Sequence, residues 1–174
     1  MTTPVLVLIV PDAAHPAAHA EAAFSRYQAA GGFGLEVRSD RAAVLAAVRD
    51  SVDADRHLVI WDASAGMPPK EIEILVHGLT PGEWRAGTRR ASLSVVRGGT
   101  GLDRVIANTT GGLRRAAGLS SESCPPCLAV PLAFVRAHID RLSALSVSGW
   151  TTILLRAARR EGIRVVEAPV MSAS

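Results

Sequence analysis

Lysine is nearly missing from this chain of 174 residues: Lys70 stands alone among nineteen basic side chains, and the rest are arginine. Chemistry that needs several lysines is excluded. Cysteine is almost as scarce, and the pair Cys124 and Cys127 is too small for a disulfide scaffold, which uses several bridges in place of a core. No apolar run approaches the roughly 18 residues of a membrane span, and the N-terminus lacks the basic start and cleavage site of a secretory signal. These absences predict a soluble, cytoplasmic protein with no membrane partner. Nineteen basic against sixteen acidic residues leave a net charge of +3, too small and dispersed to make a nucleic-acid partner expected. Aromatics are only 4% of the chain, so the paired arginines Arg89-Arg90, Arg114-Arg115 and Arg159-Arg160 have no interleaved stacking platforms and read as solvated surface charge. High alanine, arginine and valine with so little lysine matches the codon bias of a GC-rich genome. Also absent are the Gly-x-Ser-x-Gly elbow, the His-Glu-x-x-His helix, the Walker loop and the Gly-x-Gly-x-x-Gly fingerprint. The hydrolase, metalloprotease, P-loop and dinucleotide classes lose their usual support.

What remains is 48% hydrophobic, enough for one globular domain over residues 1–170 with a short tail, 171–174. Residues 5–10 (Val-Leu-Val-Leu-Ile-Val) form a continuous apolar run ended by Pro11 and Asp12, as in a strand buried on both faces, and are expected at the centre of a parallel sheet. Pro16 suits a first helical turn, and Ala20, Ala23, Phe24 and Tyr27 recur on one helical face up to Gly31. A second strand at 35–38 leads to Asp40, a good N-cap, and to a helix with Val44, Leu45 and Val48 inward. Residues 57–62 repeat the buried-strand signature, and Pro68-Pro69 opens a third helix presenting Ile72, Leu75, Val76 and Leu79. This alternation predicts an α/β domain with a mainly parallel sheet and helices on both sides. A fourth strand is expected at 91–97, an irregular excursion over 98–128, a helix from Pro131 presenting Leu132, Val135, Ile139 and Leu142, another ending at Gly162, and a closing strand at 163–167 before Pro169. Trp61, in a buried strand, reads as core. Trp84 and Trp150 stay open between core, interface and stacking surface.

Asp62 stands at the carboxyl end of its strand, where ligands of open α/β sheets collect. It is a candidate ligand for a divalent cation such as Mg2+, with Ser64 completing an Asp-x-Ser where a metal site prefers Asp-x-Asp. The competing role is capping of its own loop. The first loop, Asp12-Ala13-Ala14-His15, occupies the place of a glycine-rich phosphate cradle but has no glycine, and the alanine Cβ atoms restrict close backbone approach. His15 and His19 have metal-compatible spacing without a nearby third ligand. Cys124-Pro-Pro-Cys127 has redox or half-zinc spacing but neither context, so two ordinary thiols are the plainer account.

The order of segments resembles the nucleotide-diphosphosugar transferase superfold, and most closely the methylerythritol-phosphate cytidylyltransferase family. Val5–Asp12 is similar to that family's opening strand, Ser39-Asp40-Arg41-Ala42-Ala43-Val44 to its Arg-x-x-Ser-Val helix start, and His57–Pro69 to its His-Asp-Ala-Ala-Arg-Pro stretch. Ala129–Phe134 is similar to a Gln-Thr-Pro-Gln-x-Phe segment, and Gly149–Pro169 to the closing Thr-Asp-Asp helix and strand. The resemblance implies a Rossmann-like nucleotidyltransferase fold of three layers, metal-assisted nucleotidyl transfer in isoprenoid precursor synthesis, and nucleotide contacts at Asp12, Ala13, Ala14, Arg41, Asp62 and Ser64. Asp103 and Arg104 stand where an Asp-Thr motif would be. The departures fall on the chemistry: the cradle glycines and lysine are missing, Ala43 replaces the nucleotide-contacting serine, Ala65 or Gly66 the arginine, and Thr151 and Thr152 the paired aspartates. Arg26 is a candidate substitute for a phosphate lysine, though a planar guanidinium does not replace an ammonium. The implied protein is cytidylyltransferase-like with a degenerate or remodelled site that keeps nucleotide or sugar-phosphate binding. The alternatives are a non-catalytic binding or scaffold protein on the same fold, as a homodimer through 98–128, and a truncated GT-A glycosyltransferase-like protein, whose second metal Asp is likewise missing.

Overall fold

Alternate side chains of the first strand enter two different hydrophobic clusters, and the rest of the fold is arranged around that division. In the computed structural model, which describes residues 5–53, 55–89 and 125–171, strand β1 (Val5–Val10) sends Leu6 and Leu8 into one cluster and Val7 and Ile9 into the other. This period of two is that of a strand covered on both faces. Helix α1 (Ala17–Ala29) covers the second cluster with Phe24, and helix α2 (Arg41–Asp50) covers the first with Val44, Leu45 and Val48. Asp40 caps α2 as its sequence position predicts, its carboxylate accepting from the Ala43 backbone N–H at 2.9 Å.

Strands β2 (Leu35–Arg38) and β3 (His57–Asp62) flank β1, both parallel to it. β1 is therefore an inner strand beside edge strand β2, not the centre of the sheet. A one-turn 3-10 helix, Ala63–Ala65, follows β3 and stops at Gly66, whose φ of 60° lies in the left-handed region that glycine enters at no steric cost. A second, Pro69–Glu71, leads into helix α3 (Ile72–Val76), shorter than the expected helix because the chain turns out at His77 and Gly78. The Arg85 guanidinium donates to the carbonyls of Leu75, His77 and Gly78, closing that frayed end from outside the helix.

The sheet is mixed, which corrects the expectation of a mainly parallel one. Its order is β2-β1-β3-β5-β4-β6, with β4 at Trp84–Arg89, β5 at Cys127–Pro131 and β6 at Val165–Val170. β5 runs antiparallel to both β3 and β4, while β4 and β6 pair in parallel. The physical reason lies in where the chain enters β5. Pro126 is already at the carboxyl end of β3, its carbonyl accepting from the Asp62 N–H at 2.9 Å, so the next residues can only run back down the sheet. The right-handed crossover rule concerns parallel pairs, and β5 is antiparallel to both of its neighbours.

Three further elements follow: helix α4 (Leu132–Ala137), helix α5 (Ile139–Ser143), split from it at His138, and helix α6 (Trp150–Arg160). They bring Leu132, Val135, Leu142, Trp150, Leu154 and Ala158 into the cluster that α2 covers. Trp61, Trp84 and Trp150 are all buried. β6 begins and ends later than expected and contains Pro169, which an edge strand tolerates because one row of its N–H groups has no ladder partner. Met171, assigned to the tail, is anchored by its N–H to the buried Glu71 carboxylate at 3.1 Å. The strand expected at 91–97 and most of the 98–128 excursion lie outside the described residues, whereas 127 and 128 belong to β5. No helix among the described residues is long and apolar enough to cross a membrane.

Candidate functional site

Because β1 and β3 are parallel and in register, with Val10 opposite Asp62, their carboxyl ends reach one rim and their following loops are neighbours. Between those loops lies a pocket of about 220 Å³ bordered by Asp12, Asp62 and Ser64, with Ser148 and Thr151 contributed by the approach to α6 and its first turn. Val10, Ile60 and the prolines 125 and 126 give it apolar walls. Two carboxylates, 50 residues apart in the chain, thus share one mouth.

Each carboxylate uses one oxygen locally. Asp12 Oδ1 accepts from the backbone N–H groups of Ala14 (2.8 Å) and His15 (2.6 Å) and contacts His15 Nδ1 at 3.0 Å. The His15 backbone N–H is the main cause that holds the Asp12 carboxyl below its ordinary range; desolvation, next in size, opposes it, and the His15 ring and the Ala14 N–H add to the lowering. Asp62 Oδ1 accepts from Ser64 N at 2.9 Å and Ser64 Oγ at 2.7 Å, capping the 3-10 turn that follows. The capping role considered for Asp62 is therefore present. The second oxygen of each carboxylate takes no hydrogen bond from the described residues.

The other expected site residues divide clearly. Ala13 and Ala14 are exposed on the first loop, where Ala14 serves Asp12 through its N–H. Arg41 opens α2 but does not line the pocket: its Nη1 donates to the Leu145 carbonyl at 2.9 Å, pinning the segment that leads to Ser148. Arg26 lies in the last turn of α1, the end remote from this rim. His15 and His19 border a separate hollow of about 110 Å³ with Phe24, Trp61 and Met67, and no group of three His, Cys, Asp or Glu among the described residues could hold a metal ion. Cys127 is buried in β5, its Sγ 3.9 Å from Met67 Sδ, while Cys124, Asp103 and Arg104 lie outside the described residues.

Ser148 was not singled out from the sequence, and Thr151 appeared there only as the place of a lost carboxylate. The signal that points to both is topological: a helix leading into a strand parallel to β3 must begin at the rim where β3 ends. The lining contains no Lys, Arg or His among the described residues. As it stands the pocket is a field of oxygen acceptors with hydroxyls over apolar walls, unsuited to a bare phosphate. Hard carboxylate oxygens do suit Mg2+, which commonly takes one or two carboxylates and completes its shell with water and phosphate. Asp12 and Asp62 would hold it through their second oxygens. No protein-family model matches the chain, and no curated protein matches it.

Proposed function

We propose that this chain is a nucleotidyltransferase-like protein of the Rossmann-like, cytidylyltransferase lineage, with a remodelled active site that retains binding of a nucleotide or sugar-phosphate. The observation that carries the proposal is the convergence of Asp12 and Asp62 on one pocket at the ends of adjacent parallel strands, each with an oxygen to spare. Asp12 and Asp62 would hold a divalent cation, which would supply the positive charge that the lining itself does not contain. The chain's own residues bind and orient the ligand: Ser64 fixes the Asp62 rotamer, and Arg41 holds the 145–148 segment against the mouth.

Thermal denaturation with CTP, UTP, ATP and nucleotide sugars, with and without Mg2+, tests this. Ligand at a hundred times its dissociation constant adds about 2.7 kcal/mol, so the midpoint should rise by several degrees in a domain of this size. Asp62→Ala should remove the Mg2+-dependent part of the rise. The capping of both carboxylates by their own loops favours a second reading, a non-catalytic scaffold on the same fold, and a flat response to every ligand would select it.

A further inference from the structure

One nearly buried residue of the pocket has a hydroxyl with no partner among the described residues. Thr151, in the first turn of α6, is only 6% exposed, and its hydroxyl makes no hydrogen bond with any described residue. Every fully enclosed side-chain oxygen and nitrogen among the described residues has a partner. The Thr151 hydroxyl therefore keeps access to open space, and the space that Thr151 lines is the pocket bordered by Asp12 and Asp62. Its hydrogen bonds are left to water or to a ligand, and a valine of the same shape would remove them without disturbing any protein contact of the hydroxyl.

We infer that Thr151 is a ligand-binding residue, and that the pocket interior takes the neutral, hydroxyl-bearing ring of the ligand, its sugar or nucleoside part, without a metal. This rests on the function proposed above and assigns the two ends of that ligand to different places. The interior offers acceptors: on the second oxygens of Asp12 and Asp62 the lone pairs that a cation at the rim would not take, and the lone pairs of Ser64, whose proton is already given to Asp62. Phosphate oxygens are acceptors as well and cannot pair with these. A polyol ring presents O–H donors to the carboxylates, can both donate to and accept from Thr151, and lays its C–H face on Pro125 and Pro126. The volume of about 220 Å³ falls below the span of roughly 300–1,000 Å³ that holds drug-sized ligands. One ring fits, with the phosphates left at the rim beside the cation.

The experiment measures binding of ribose, glucose, N-acetylglucosamine, cytidine and uridine by ligand-observed NMR in EDTA, beside CTP and UDP-glucose with Mg2+. The proteins are the full-length wild type, Thr151→Val and Thr151→Ser. At least one neutral compound should bind without metal. Thr151→Val should weaken it about five- to tenfold, the worth of one hydrogen bond, with an unchanged or raised melting midpoint, while Thr151→Ser should keep it. Equal binding by Thr151→Val would overturn the inference, as would binding confined to phosphorylated ligands with Mg2+, which leaves the proposed function standing. No binding by any compound would remove both.

Discussion

The half of the sheet formed by β2, β1 and β3 and the half formed by β5, β4 and β6 are held together by different kinds of information. β1 is a continuous six-residue apolar strand, β3 has the apolar run Leu58–Trp61 between His57 and Asp62, the two are joined through helices, and their identity is local. β4 reads Trp-Arg-Ala-Gly-Thr-Arg, β5 is five residues ending in proline, and β6 contains Glu167 and Pro169. Their identity is supplied by contacts from elsewhere. The His57 ring lies between the carbonyls of Asp55 and Glu83, at 3.1 Å from each, and Arg85 closes the end of α3. Local pattern is sufficient for a strand inside a βαβ unit, and distant partners decide a strand outside one.

The most severe test of that division compares two tryptophans. Trp61 packs edge-on to Phe24 in the first half, with centroids 5.1 Å apart, and Trp84 packs edge-on to Phe134 in the second, at 4.7 Å. Both are buried, so truncation of either to alanine should cost about 3–5 kcal/mol. Urea unfolding followed by far-UV circular dichroism and by tryptophan fluorescence checks this. If the shared sheet makes the halves one cooperative unit, both variants show a single transition with coincident probes. Should Trp84→Ala lose its second half at low urea while Trp61 fluorescence stays native, the halves are separable and the comparison sharpens into two folding units.

A smaller effect should come from the seam between β4 and β5. A Cβ at Gly87 would sit 2.3 Å from Cys127 Sγ and 3.2 Å from a Val170 methyl. Gly87→Ala must push β5 or β6 away, with an expected cost of about 1–3 kcal/mol for overpacking. Removing the sulfur should relieve it, so Gly87→Ala in a Cys127→Ala background should cost less than in the wild type. A double-mutant cycle by urea denaturation measures the difference, and strict additivity would show that the seam adjusts by another route.

These contacts explain what could be seen in the sequence. The limits of β1, β2 and β3 were legible because buried strands and punctuating Pro, Gly and Asp leave local marks, and so was the Asp40 cap. Asp12 and Asp62 come together because β1 and β3 are parallel neighbours in the sheet although β2 lies between them in the chain. β4 was hidden because arginine and glycine in a strand break the apolar pattern, and their justification, α3 carbonyls for Arg85 and the Cys127 sulfur for Gly87, is not local. The direction of β5 was hidden because a run buried on both faces reads the same both ways. At the site, Arg41 was legible as a cation near the rim but not as a donor to Leu145, since that contact spans 104 residues.

The mildest test stays within the first half and asks whether its two strand-end carboxylates hold their loops electrostatically. Asp12 is the one whose carboxyl is held low, by the His15 N–H above all, so its charged form is favoured in the folded chain. The sign follows from linkage: a carboxyl with a depressed folded pKa stabilises the fold above its ordinary value, near 3.8, and that contribution disappears as pH falls through the lower, folded value. Neutralising the carboxylate by Asp12→Asn retains one carbonyl oxygen to accept from Ala14 and His15 but removes the charge that strengthens those bonds. The amides of Ala14 and His15 should therefore exchange faster in Asp12→Asn at neutral pH, with Ser64, capped by Asp62, unaffected. In the wild type, NMR titration should place the Asp12 carboxyl midpoint below 3.8. A midpoint at or above that value would show that the first loop is set by backbone geometry alone and that Asp12 is not restrained toward the mouth.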